Sequence, residues 1–139
     1  MERCSVRLPC GAALTETVAR FVERLGRQAE LGDDRLYWLR LAVDEITTNI
    51  AHHGYRDGAG VVDLTGEVFP SGEVRVLIED DAPPFDPRSY DARARLSVDM
   101  PEREPGGLGL LLALSHLDGF DYDHDGGRNR NVLVVRRTP

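Results

Sequence analysis

Along the chain, Cys4, Val6 and Leu8 alternate with Arg3, Ser5 and Arg7. This two-residue period belongs to a strand with one buried face, and Pro9 ends it. Leu14, Val18, Phe21 and Leu25 then recur at helical spacing and predict an amphipathic helix. The Leu31-Gly32-Asp33-Asp34 segment breaks the chain and restarts it. A second helix is predicted there, capped by Asp33 or Asp34, with Leu36, Leu39, Val43, Ile46 and Ile50 as its buried stripe and a stop near His53-Gly54. Positions 61–69 and 73–80, joined by Pro70-Ser71-Gly72, read as a β-hairpin. Positions 81–105 carry Pro83, Pro84, Pro87, Pro101 and Pro105 among few apolar residues, which predicts a long mobile loop. Gly106-Gly107-Leu108-Gly109 leads into an apolar helix that should end near Asp118-Gly119, and strands follow around 120–124 and 131–136. The order strand, two helices, hairpin, loop, helix, hairpin predicts an α+β fold, a two-layer sandwich of about three helices on a mixed, mostly antiparallel sheet.

Composition narrows the class of protein. A chain of 139 residues with 41% hydrophobic residues can build one core, so a single domain over 1–139 is expected. No run approaches the roughly 20 apolar residues of a membrane span, and Met1-Glu2-Arg3-Cys4 does not resemble a signal peptide. A cytoplasmic location is therefore expected, with no membrane partner. Cys4 and Cys10 have no further cysteine or histidine cluster nearby and are expected to be reduced packing residues. A net charge of -7 disfavours direct binding to nucleic acid. All 17 basic residues are arginine, so neither a lysine-bearing P-loop nor a lysine-dependent protein kinase fold is available.

Three groups of residues carry candidate chemistry. Glu45, Asn49 and His53 recur every four residues and form one stripe on the second helix, beside the row of Val43, Ile46 and Ile50. That stripe is either a solvated flank or the edge of a cleft. In the hairpin, Val74, Val76, Ile78 and Asp80 share one strand face, so Asp80 should enter the interlayer space while Asp81 points to solvent. A buried Asp80 needs a donor, and either the adenine amine or a backbone N–H of the following loop would serve. The Gly106 to Gly109 run offers unobstructed backbone N–H groups at a helix N-terminus, which suits a phosphate or is a plain loop-to-helix junction. In chain order the three groups make a complete nucleotide site.

These residues resemble a known family, the bacterial anti-sigma-factor serine/threonine kinases of the Bergerat-fold, histidine-kinase-like ATPase superfamily. Leu41-Ala42-Val43-Asp44-Glu45-Ile46-Thr47-Thr48-Asn49 with His53 looks like its asparagine box, 78–87 like its first glycine box and 106–110 like its second. The resemblance implies that Glu45 polarises the attacking hydroxyl, Asn49 binds Mg2+ through ATP, and Asp80 holds the adenine amine. It also implies that His53, Ala82, Phe85, Gly106, Gly107, Leu108, Gly109 and Leu110 surround the nucleotide below a lid over 89–105. The implied partners are an anti-sigma-factor antagonist protein, which receives the γ-phosphoryl group on a serine, and a sigma factor that is sequestered in its absence; a homodimer is implied as well. The first glycine box departs from the DxGxG pattern at Ala82 and Pro84, and Pro105 stands where some relatives place an arginine, so Arg103 or Arg95 is expected to reach the phosphates instead. The alternative to a kinase is an ATP-binding regulatory module that sequesters a partner without transferring phosphate. A histidine-kinase catalytic domain is disfavoured, with His116 expected to be a partly buried structural residue.

Overall fold

A computed structural model of the protein describes residues 1–55, 60–89 and 107–137. Strand β1 (Glu2–Pro9) turns Cys4 and Val6 half inward and buries Leu8. Helix α1 (Leu14–Ala29) follows with Leu14, Val18, Val22 and Leu25 buried, and the predicted Phe21 lies at the margin of this stripe, half-buried. Glu30 adopts a left-handed conformation (φ 56°) and donates its N–H to the carbonyls of Arg27 and Gly26, which stops the helix. Helix α2 (Asp33–Asn49) begins at Gly32, whose extended backbone supplies the cap. The expected cap by Asp33 or Asp34 is therefore corrected. Both carboxylates instead lie in the first turn, where they complement the positive end of the helix dipole.

The stop predicted near His53-Gly54 takes the form of a π-turn over Ile50–Gly54, which continues α2 with wider backbone pairing. Strands β2 (Val61–Val68) and β3 (Val74–Asp80) form the hairpin. Helix α3 (Gly107–Ser115) ends three residues short of the predicted stop, and strands β4 (Gly119–Asp125) and β5 (Arg128–Val135) close the fold. The sheet order is β1-β2-β3-β5-β4. Every neighbouring pair is antiparallel, so the expected mixed sheet is an antiparallel one. No helix of the described residues is long and apolar enough to cross a membrane.

All three helices cover one face of the sheet. Val62, Leu64, Val74, Val76, Ile78 and Leu133 from the sheet meet Val18, Val22, Leu25, Leu39, Val43 and Ile46 from α1 and α2, and none is more than 1% exposed. Each such side chain contributes about 1.5–3 kcal/mol by leaving water. Gly66 on β2 lets Leu25 lie on the sheet, because a Cβ there would come within 2.5 Å of the leucine methyl groups. Cys4 and Cys10 are free thiols at the edge of this core. The opposite face carries a charge ladder. Arg7 and Arg128 both grip Asp63, and Arg128 also reaches Asp81 and, more loosely, Glu79. His116 is exposed, not partly buried as expected, and its ring stacks on Trp38 with centroids 3.8 Å apart.

Candidate nucleotide site

Where α2 runs into the π-turn, its last residues face the end of β3 across a pocket of about 150 Å³ lined by Ile46, Asn49, Ile50, Gly54, Asp80 and the loop from Ala82 to Phe85, with Asn129 and Asn131 behind them. A cavity of about this size admits an aromatic ring. The strand period decides which carboxylate enters it. Asp80 closes the inward row Val74, Val76, Ile78 and is only 2% exposed, whereas Asp81 faces solvent on the other side.

Asp80 is held on one oxygen and bare on the other. Its Oδ1 accepts from the Ala82 N–H and from Asn129 Nδ2, both at 2.9 Å. Its Oδ2 is buried and has no hydrogen-bond partner among the described residues. The loop N–H and an incoming donor are thus not competing uses of this side chain, since each takes a different oxygen. Burial pushes the Asp80 carboxyl above its ordinary range, partly offset by the bonds from Asn129 and Ala82. An unpaired buried carboxylate oxygen costs about 1–3 kcal/mol or more. A ligand N–H aimed at Oδ2 would remove that cost, so the residues present fit an adenine amine.

Asn129 is the bracket of this arrangement. It lies directly across the ladder from Asp80. Besides Asp80 it donates to the Ala82 carbonyl at 3.0 Å, and its Oδ1 accepts from the Phe85 N–H at 3.2 Å and from the Tyr122 hydroxyl. Tyr55 pins the other side, donating its hydroxyl to Val61 O and accepting from the Asp81 N–H, both at 2.9 Å. Asn129 and Asn131 were not singled out from the sequence, yet the signal was there. The alternation Asn129, Asn131, Leu133, Val135 puts two amides on the buried face of a strand that is otherwise apolar there.

The remaining candidates fall into three groups. Asn49, Ala82 and Phe85 line the pocket, Ala82 at 4% exposure and Phe85 at 44%. Glu45 does not line it but stands one turn before Asn49 at the head of α3: a Cβ on Gly109 would lie 3.1 Å from Glu45 Oε1. Burial, with Asp44 second, raises the Glu45 carboxyl above its usual range, the direction that suits a proton acceptor. The side chain of Leu110 is fully buried in the core behind the site and is not among those lining this pocket, so any contact it makes with a nucleotide would come from its backbone. Arg95, Arg103, Gly106 and nearly all of the 89–105 lid lie outside the described residues, as do the side chains of His53 and Leu108. Gly107 opens α3, so the glycine run does end at a helix N-terminus. Among the described residues no group of three or more His, Cys, Asp or Glu side chains could hold a metal ion.

Comparison with known proteins follows the same outline. A family described as histidine kinase-like ATPase domain matches residues 9–137. An anti-sigma F factor from Clostridium acetobutylicum is 26% identical over 121 residues, covering 87% of this chain and 80% of the relative. The serine-protein kinase RsbW of Bacillus cereus is 20% identical over 138 residues, covering 97% and 84%. Among solved structures, the RsbU and RsbW domains of Rv1364c from Mycobacterium tuberculosis superpose with a TM-score of 0.67 at 17% identity; 98% of this chain matches 32% of that longer one. The SiaB–SiaC complex from Pseudomonas aeruginosa gives a TM-score of 0.56 at 14% identity, covering 95% of this chain and 88% of the other. The catalytic domain of the histidine kinase ThkA gives 0.54 at 15% identity over the full length of both. At these identities the solved structures establish the shared α+β fold alone.

Proposed function

The chain belongs to the histidine kinase-like ATPase family, and from that premise we propose that it is an ATP-dependent protein serine/threonine kinase of the anti-sigma-factor type. The observation that carries the reading is the bare, buried Oδ2 of Asp80 at the back of a largely apolar pocket. In this reading the adenine ring enters between Ile50 and the 82–85 loop, and its 6-amino group donates to Asp80. The phosphates extend toward the N-terminus of α3, whose backbone N–H groups and dipole favour anions. Asn49 and the phosphate oxygens would hold Mg2+, which when bound neutralises charge on the transferred group.

Glu45 then orients the attacking serine hydroxyl of a small antagonist protein and accepts its proton. Its position at Gly109, next to the phosphate end, supports that role. Glycine at 109 keeps the approach open, since any side chain there would press on the carboxylate. The two sequence relatives, one named for anti-sigma activity and one for serine phosphorylation, support a sigma factor and a serine-bearing antagonist protein as partners; a cytoplasmic homodimer of single-domain chains is part of the same proposal.

The test is transfer of labelled phosphate, in the presence of Mg2+, to a serine of a candidate antagonist protein from the same genome. Glu45→Gln should lower the rate by about 10²–10⁴-fold, the usual worth of a positioned base, while calorimetry shows ATP affinity within a few-fold of the parent. Undiminished transfer by this variant would remove Glu45 from the chemistry. A second reading, nucleotide-gated sequestration without transfer, draws on Ala82, whose methyl group stands 3.0 Å from a Cβ placed on Gly54 and stiffens a loop that glycine would leave pliable. ATP binding together with a partner serine that stays unmodified would favour it.

A further inference from the structure

A second polar side chain is aimed into the same pocket and is explained neither by the fold nor by the residues already assigned. On β5 the inward row reads Asn129, Asn131, Leu133, Val135. Asn129 is consumed by Asp80, the loop and Tyr122. Asn131 is different. It is 2% exposed, it lines the pocket, and its Oδ1 has no hydrogen-bond partner among the described residues. Its partner across the ladder is Ile78, an apolar side chain. A valine or leucine would fill this position without burying an unmatched amide oxygen, which costs about 1–3 kcal/mol.

Asn131 stands diagonal to Asp80 on the same face, because Asp80 pairs with Asn129 two residues away. Diagonal neighbours in an antiparallel pair are about 7–8 Å apart, within reach of one small group placed between their tips. The pocket therefore presents two buried acceptors lacking donors, Asp80 Oδ2 and Asn131 Oδ1.

We infer that Asn131 is a base-reading residue: Asp80 Oδ2 and Asn131 Oδ1 together accept the two N–H bonds of the adenine 6-amino group. This rests on the nucleotide reading above and adds a specificity determinant to it. One carboxylate oxygen takes one amine hydrogen and would leave the second buried without an acceptor; the amide of Asn131 supplies it. Purine with hydrogen at that position has nothing to offer either acceptor, whereas a 6-oxo group is met by an acceptor at Asp80 and, once the Asn131 amide turns over, by a donor at Nδ2. Asn131 thus strengthens binding of the 6-amino group itself, while rejection of 6-oxopurines falls to the Asp80 carboxylate.

A thermodynamic cycle tests this. ATP and purine riboside triphosphate, in which hydrogen replaces the 6-amino group, are titrated by calorimetry into the wild-type chain and into Asn131→Leu, with Asn131→Val as a second apolar replacement suited to a strand. In the wild type the amine should favour ATP. Asn131→Leu should weaken ATP about tenfold, the worth of one buried hydrogen bond, and leave the analogue unchanged, so the ratio between the two nucleotides falls about tenfold. Equal weakening of ATP and analogue, or no change in either, overturns the assignment of Asn131 while leaving ATP binding in place. A wild type that binds neither nucleotide sinks the nucleotide reading, and this inference with it.

Discussion

Asp63 and Asp80 lie on adjacent strands of one sheet and meet opposite fates. Asp63 faces outward, where Arg7 takes Oδ1 at 2.8 Å and Arg128 takes Oδ2 at 2.8 Å, and the bond from Arg7 holds its carboxyl below the usual carboxylate range. Asp80 faces the helices with Oδ2 unmatched, and burial pushes its carboxyl up. One residue type serves two ends because the period of the strand, not the chemistry of the side chain, selects the environment. The outer face has its charges satisfied and can tolerate change. The inner face keeps an uncompensated acceptor at its open end, an arrangement that weakens the empty fold and favours a ligand carrying the missing donor.

The sharpest way to break this contrast is to neutralise each aspartate in turn. Asp80→Asn should weaken ATP about 100-fold, as expected when a hydrogen bond to a buried charge is replaced by a clash of donors, while the melting temperature of the ligand-free protein holds or rises. Asp63→Asn should leave ATP affinity unchanged. Similar affinities in the two variants would mean that the pocket is not where adenine binds. Next in size is the bracket. Asn129→Ala removes the donor to Asp80 and the acceptor for Phe85 N–H and Tyr122, and should cost about 2 kcal/mol of stability, read in urea unfolding. A loss below about 0.5 kcal/mol would show that the loop holds itself.

Crowding at the pocket should be felt, and truncation on the outer face should not. Gly54→Ala brings a methyl group to 3.0 Å from Ala82 Cβ and should cost about 1 kcal/mol, recovered when combined with Ala82→Gly. Arg130→Ala, on the outer face, should stay within about 0.5 kcal/mol. A Gly54→Ala cost that persists in the double variant would place the strain elsewhere.

The smallest effect is in pH. The Asp63 carboxyl is lowered in the fold, so its contribution is full above the unfolded value near 3.8 and disappears as pH falls through the folded one. Asp80, Glu45 and Asp44 are raised by burial, so the folded state holds their protons longer and stability falls as pH rises from the unfolded values through the folded ones. Melting curves between about pH 3 and 7 should therefore show a shallower acid-side loss in Asp63→Asn, worth at most about 1 kcal/mol. In Asp80→Asn the decline toward neutral pH should be smaller. Opposite trends would reverse the assignment of the two faces.

The legible part of the fold was the part written in periods. The alternation of β1 and of the hairpin, and the stripe from Leu39 to Ile50, placed strands and helices correctly because burying one face is a property of neighbouring residues. The cap at Gly32 was missed because Asp33 and Asp34 have the chemistry of caps, and only the backbone at Gly32 shows which residue turns the chain. The sequence shows no breaker before Asp118-Gly119, whereas the backbone tightens at His116 and Leu117, whose N–H groups bond to Ala113 and Leu114 three residues back, so α3 stops at Ser115.

By itself the sequence determined which carboxylate points inward, that Glu45 and Asn49 share one side of α2, and that a glycine run leads into a helix; each follows from residues close together in the chain. Only tertiary structure decided that Asn129 would grip Asp80, that Asn131 would share its pocket, and that Gly109 would stand against Glu45. Those contacts join positions about 50 to 60 residues apart, and their geometry depends on strand register and on the layer of helices laid across the sheet, which no local pattern encodes.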